Sequence, residues 1–205
     1  MRPILCLSAC LALPFLAQSA AGQMVDPDPI NGADQAPYIR AALPLDEPRH
    51  LCIDLPGHGE ASDPTQPFTV HTCKDGMWNY DQRFEWINDG MGLQMPQYEL
   101  CLAAETASAG ANLVLVECGA ELAHWVSSAA RLTLAADPSL CITIADEVSE
   151  LTPGGRRFPQ RYRARSVAMD TCSADAIERQ LWSVTQPLDL TEPLLPPAGS
   201  LPVEG

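Results

Sequence analysis

Six cysteines and three aromatic-ended segments fall into a threefold rhythm, and that rhythm limits the fold more than any other feature of the chain. Leu51-Cys52-Ile53-Asp54-Leu55 recurs as Leu100-Cys101-Leu102-Ala103-Ala104 and again as Leu140-Cys141-Ile142-Thr143-Ile144. A second cysteine closes a strand after each copy: His71-Thr72-Cys73, Val116-Glu117-Cys118 and Asp170-Thr171-Cys172. Every unit then ends on an aromatic strand, Gln82-Arg83-Phe84-Glu85-Trp86, Ala123-His124-Trp125 and Gln180-Leu181-Trp182-Ser183-Val184. Steps of 49 residues (52 to 101) and 40 residues (101 to 141) separate the first cysteines. Such a period marks one supersecondary unit that buries its apolar face against its neighbours. Short apolar pieces such as Phe68-Thr69-Val70-His71-Thr72-Cys73 and Leu113-Val114-Leu115-Val116 are strand signals, and no strong helical stripe competes with them.

The remaining two of the eight cysteines lie in a different kind of segment. Arg2, an apolar run from Pro3 to Ala17, and Gln18-Ser19-Ala20-Ala21-Gly22 form the pattern of a secretory signal peptide cleaved near Ala21. Leu7-Ser8-Ala9-Cys10 imitates a lipid-attachment motif, but Cys10 comes too early for an adequate apolar core before it. Residues 1–21 are therefore expected to leave with Cys6 and Cys10. The chain would then be secreted or periplasmic, where disulfides are the default state of cysteine. Prolines gather in residues 23–48 and in 186–205; residues 22–36 are expected to be an extended Pro-rich leader and 186–205 a disordered tail. A single domain is expected over 37–185.

Charge excludes further classes. With 26 acidic against 12 basic residues the net charge is −14, which opposes binding to nucleic acid or to anionic lipid. No segment suits a membrane span. Zinc is excluded by spacing, because no Cys-x₂₋₄-Cys pair exists among the six cysteines. Asp26-Pro27-Asp28-Pro29-Ile30-Asn31-Gly32 imitates a calcium loop, but Ile30 occupies a ligand position and two prolines stiffen it. No metal and no cofactor is expected. The four histidines are scattered and no nucleophile elbow or zinc-protease helix occurs, so no enzymatic activity is expected.

The three phased repeats of Cys-x-Asp, Cys and Gln-x-Trp resemble the ricin B-type lectin family, over roughly Pro37 to Thr185. Gln180-Leu181-Trp182 is the intact motif; the first repeat reads Gln-x-Phe with Trp86 two residues on, and the second has Ala123 for glutamine. The resemblance implies an all-β fold, a β-trefoil of three repeats and twelve short strands. It implies intra-repeat disulfides Cys52–Cys73, Cys101–Cys118 and Cys141–Cys172, each worth about 3 kcal/mol in the chain-entropy account. Gln82, Trp86, Trp125, Gln180 and Trp182 would then be chiefly structural, with rings filling the barrel and amides bonding backbone.

Sugar recognition needs a carboxylate or amide for paired hydroxyls and an aromatic face for the apolar side of the ring. By resemblance, the first repeat keeps most of this set. Asp54 stands at the aspartate position, His71 at the aromatic position, and Asp81-Gln82 where Asn-Gln would stand. Trp78, or Tyr80 beside it, would supply the missing ring. Asp54 and Asp81 would repel each other unless a sugar hydroxyl or a cation bridges them. The second repeat offers Ala103, Val116 and Leu122, and the third Thr143, Asp170 and Arg179; neither set matches a sugar site.

The expected function is thus a secreted carbohydrate-binding module with one weak site, for a galactose-like or related sugar, with affinity on the order of millimolar, about −4 kcal/mol. The alternative is a degenerate trefoil that acts as a protein-interaction module without sugar binding. A third-repeat insertion, Arg156-Arg157-Phe158-Pro159-Gln160-Arg161-Tyr162-Arg163-Ala164-Arg165, holds five of the basic residues in ten positions. It reads either as a loop neutralised against the acidic domain or as a docking loop for an anionic glycan or acidic protein. One lysine stands against eleven arginines, a usage that hints at a GC-rich bacterial genome.

Overall fold

The computed structural model describes residues 33, 35–57, 61–74, 79–157, 159 and 161–185. The expected signal peptide, the Asp26–Gly32 segment, most of the leader, the tail and Trp78 all lie outside the described residues.

Thirteen strands are described, and twelve of them are four per repeat. The first repeat holds β1 (Tyr38–Ala41), β2 (Leu51–Asp54), β3 (Thr69–Thr72) and β4 (Glu85–Ile87). The second holds β5 (Gly92–Met95), β6 (Leu100–Ala104), β7 (Leu113–Val116) and β8 (Trp125–Ser128). The third holds β9 (Arg131–Leu134), β10 (Asp137–Ile144), β12 (Arg163–Thr171) and β13 (Trp182–Thr185), with the two-residue β11 (Glu150–Leu151) added by the insertion. Within each repeat the second and third main strands pair, as β2–β3, β6–β7 and β10–β12. The fourth strand of each repeat pairs with the first strand of the next, as β4–β5, β8–β9 and β13–β1. The last of these pairs joins Thr185 to Tyr38 and closes the ring. The fold is a β-trefoil.

A repeated backbone bond shows why the motif aromatics sit where they do. The amides of Phe84, Trp125 and Trp182 donate to the carbonyls of Pro37, Met91 and Ala130, each just before a barrel strand. All three rings lie in the central core with Ile53, Leu102 and Ile142. The two indoles also donate Nε1–H to Leu102 (2.9 Å) and Ile142 (3.0 Å), carbonyls of the second strand in their own repeats. Phe84, having no such donor, fills the same position by packing alone. Trp86 is half-buried at the margin of the core, which corrects the expectation that it fills the barrel centre. Side chains two residues apart on a strand share a face, but Phe84 precedes β4 and has already taken the inward place.

The motif glutamines brace the second cysteine of their repeats. Gln82 Oε1 accepts from the Lys74 amide (2.8 Å) and its Nε2 donates to the Thr72 carbonyl (3.2 Å). Gln180 does the same across Cys172, with the Ser173 amide (3.0 Å) and the Thr171 carbonyl (2.9 Å). Disulfides join Cys52 to Cys73, Cys101 to Cys118 and Cys141 to Cys172.

The β8–β9 hairpin turns through Ala129 and Ala130, between paired Ser128 and Arg131. Both alanines have positive φ, 49° and 61°, as a two-residue primed turn requires. A left-handed alanine costs roughly 1–2 kcal/mol relative to a residue that tolerates it. Replacing the pair by Asn-Gly should therefore raise stability by about 1 kcal/mol or more, read as a higher midpoint of thermal unfolding.

Candidate functional site

The structure gathers the described members of the first-repeat set along the β2–β3 hairpin. Asp54 ends β2 opposite Thr69, His71 lies on β3 opposite Cys52, and Asp81-Gln82 form a short 3-10 turn after the Asn79 loop. The backbone draws the two ends together, because the Leu55 amide donates to the Asp81 carbonyl (2.9 Å). All four side chains are buried, with Asp54 2%, His71 9%, Asp81 0% and Gln82 0% exposed.

The residue that sequence reasoning passed over is Lys74, the single lysine of the chain. Its side chain folds back between the two carboxylates, with Nζ 3.0 Å from Asp54 Oδ1 and in direct contact with Asp81 Oδ2. Lys74 is 7% exposed. The cation that two neighbouring aspartates demand is thus internal. The signal was present in the sequence as a lone lysine immediately after a motif cysteine, in a chain that otherwise uses arginine.

Electrostatics assigns the protons. Burial lowers the Lys74 pKa, but the charges of Asp54 and Asp81 outweigh it and raise the value above that of an ordinary lysine. Burial first, and the Asp54 charge second, hold the Asp81 carboxyl well above the usual carboxylate range, with Lys74 opposing them. The two directions agree: Lys74 is an ammonium, and the Asp81 carboxyl keeps its proton. Tyr98 lies near the same three groups, and its pKa is pushed up to about 12, chiefly by burial.

The arginine-rich insertion braces the other side of the set. The start of β12 leaves its own repeat and pairs with β3, Ala164 opposite His71 and Ser166 opposite Thr69. The Tyr162 ring lies 5.4 Å from the His71 ring, and the Arg49 guanidinium lies 5.5 Å over Tyr162. Burial, the largest influence, lowers the His71 pKa despite Asp54 nearby. Arg163 donates to the Ser149 carbonyl (2.6 Å), and Arg165 Nη1 lies 3.3 Å from Asp46 Oδ1. Glu47 takes Arg49 (2.8 Å) and the Thr72 hydroxyl (3.1 Å). Arg163 and Arg165 are therefore engaged against the domain, whereas Arg156 and Arg161 are exposed.

A second polar surface opens in the third repeat. A cavity of about 530 Å³ is lined by Thr143, Asp146, Ser166, Asp170 and Arg179, with Gly110 at its side. Thr143, Asp170 and Arg179 occupy the repeat positions of Asp54, His71 and Asp81. The Gln180 amide donates to Thr143 Oγ1 (2.9 Å). Arg179 Nη1 donates to the Ile144 carbonyl (2.7 Å), and its Nε lies 3.7 Å from Asp146 Oδ1. From Ser166 to Asp170 the floor strand runs four residues, about 13 Å. In the second repeat, Ala103 is buried and carries no polar group to the equivalent place.

Among the described residues no group of three His, Cys, Asp or Glu side chains is placed to hold a metal, and no helix is long and apolar enough to cross a membrane.

Comparison with known proteins agrees with the architecture. No family model matches the sequence, and no curated protein does. Among solved structures, the mdaA-1 domain is similar at a TM-score of 0.55 and 15% identity, over 74% of this chain and 90% of that one. ThreeFoil, a designed threefold-symmetric protein, gives 0.51 and 14%, over 73% and 97%. The C-half of an earthworm R-type lectin, solved in complex with GalNAc, gives 0.50 and 10%, over 74% and 98%. At these identities the likeness is one of fold.

Two outcomes test the geometry. Replacing Lys74 by methionine leaves buried Asp54 and Asp81 without their partner and should cost about 3–5 kcal/mol of stability, measured by denaturant unfolding. The insertion should respond to acid. Burial raises the carboxyl of Asp46 but the Ser149 bonds and Arg165 outweigh it, and burial at Glu47 is likewise outweighed by Arg49 and Thr72, so both lie below their usual 3.8 and 4.5. Their contribution is complete above those usual values and is lost as pH falls through the lower folded ones. The Ser149 amide, bonded to Asp46 (2.7 Å), should lose hydrogen-exchange protection below about pH 4 before the core amides do.

Proposed function

We propose that the chain is a secreted, non-enzymatic carbohydrate-binding module, and that its ligand sits in the third-repeat groove. The observation that carries this reading is the groove itself. It is open, about 530 Å³ in volume, and lined by two hydroxyls, two carboxylates and a guanidinium beside apolar Ala145, Val167 and Met169. Such a lining supplies both donors and acceptors for a polyhydroxylated ring. Its length along β12 exceeds a single pyranose. The side chains come from Thr143, Asp170 and Arg179, at the repeat positions where the resemblance to ricin B-type lectins puts sugar contacts. No aromatic ring lines the groove, so a sugar ring gains no stacking face there and affinity is on the order of millimolar, about −4 kcal/mol. Three disulfides suit an oxidising compartment, as secretion through the segment at residues 1–21 would provide.

The expected first-repeat site stands as the second reading, favoured by the convergence of Asp54, His71, Asp81 and Gln82. For a sugar to reach these carboxylates, the Lys74 ammonium must leave them. The Gln82 amide already serves two backbone groups. The protein-interaction alternative draws on the exposed Arg156 and Arg161, which offer charge complementarity to an acidic partner or anionic glycan.

A glycan array followed by NMR titration of a galactose-type sugar separates these readings. Shifts confined to the Thr143, Ser166 and Asp170 amides, with binding weakened at least tenfold by Arg179→Ala and unchanged by Arg161→Ser, are expected. Shifts centred on Asp54 and His71 would move the site to the first repeat. Loss of binding in Arg161→Ser would move it to the insertion. No signal from any glycan would remove the sugar reading.

A further inference from the structure

A lysine enclosed by two carboxyl groups is an unusual thing to bury, and its neighbourhood supports chemistry beyond an ion pair. Lys74 follows Cys73, which the disulfide to Cys52 holds at the end of β3. The Lys74 amide is fixed by Gln82 (2.8 Å), and the Asp81 backbone is fixed by Leu55 (2.9 Å). The two side chains therefore meet from anchored backbones. Nζ touches Asp81 Oδ2 while Asp54 Oδ1 stands 3.0 Å away on its other side. Asp54 Oδ1 and Asp81 Oδ1 are both inaccessible to water and make no hydrogen bond meeting ordinary angular criteria. Nucleophile, electrophile and a flanking proton acceptor are thus held together.

We propose that Lys74 and Asp81 condense into an intramolecular isopeptide bond, with Asp54 as the group that moves the proton. The step balances without any co-reactant. The Lys74 ammonium passes a proton to the Asp54 carboxylate, and the freed amine attacks Cγ of the protonated Asp81 carboxyl. The tetrahedral centre expels the Asp81 hydroxyl, which takes the second nitrogen proton and leaves as water. The products are a neutral amide between Nζ and Cγ, one water, and a protonated Asp54 that can donate a hydrogen bond to the new amide carbonyl. Charge is conserved: ammonium and carboxylate are replaced by two neutral groups.

Three features favour the condensation. Holding the reacting groups in contact replaces a bimolecular encounter by an intramolecular one, which removes a large part of the barrier. Asp81 keeps its proton because burial and the Asp54 charge oppose its ionisation, so the leaving group is hydroxyl of a carboxylic acid rather than oxide of a carboxylate. The small residual exposure of Lys74 lets the product water escape, and the dry cluster then disfavours hydrolysis. The bond would close the segment between residues 74 and 81 covalently beside the Cys52–Cys73 bridge. It is independent of where a sugar binds on the third repeat.

Intact-mass measurement of the purified protein, denatured and with disulfides reduced, decides the matter. Most of the wild-type protein should be lighter than its sequence by the mass of one water. Proteolytic fragments should contain Lys74 joined to Asp81, and trypsin should fail to cut after Lys74. Lys74→Arg and Asp54→Asn should have full sequence mass, a readout that does not depend on either variant being folded. Full mass in the wild type overturns the proposal. So does a water loss that persists in Lys74→Arg, which would belong to a succinimide elsewhere, or a fragment linking Lys74 to Asp54. A cross-link retained in Asp54→Asn would overturn the role given to Asp54.

Discussion

Everything in this fold depends on three aromatic rings having one shared place to go. A repeat of about 45 residues cannot bury its own apolar face, and Phe84, Trp125 and Trp182 solve this by meeting in one core. The backbone amide of each aromatic residue bonds to the residue just before a barrel strand, so burying the ring also sets the strand. Pairing of β13 with β1 is the closing consequence of the same rule. The disulfides and glutamine braces act outside this centre, holding the hairpins that the rings have already positioned.

Within that frame the repeats have diverged in what they place at the hairpin ends. In the first, the polar set is turned inward and neutralised by its own lysine. In the second, Ala103 removes it. In the third, Thr143, Asp170 and Arg179 leave an open groove. The insertion explains part of this asymmetry, since β12 lengthens to pair with β3 and brings Tyr162 against His71. A loop that belongs to one repeat in sequence therefore completes the surface of another.

Much of the architecture was legible because repeats signal themselves by phase, and cysteine and tryptophan are rare enough to make phase visible. The place of Phe84 was harder to read, since Trp86 is the larger ring and the motif alone does not say which of two aromatics precedes the strand. The state of the first-repeat site was legible only as a demand. Two aspartates implied a bridging cation, but which cation depends on whether a side chain can fold back from Cys73, and that is decided by three-dimensional packing. The third-repeat groove was hidden for a related reason. Motif matching scores identity with a pattern, whereas openness depends on what fills the space, and the Thr143 hydroxyl reaches less far than the aspartate it stands for.

The burial of Lys74 has a practical consequence for the outside of the molecule. As the chain's single lysine, it removes from the described surface every side-chain primary amine. Succinimidyl esters then have no side-chain amine to meet on the described surface. Apart from the α-amino group and buried Lys74, the basic groups besides histidine are guanidinium groups, which stay protonated and do not attack such esters.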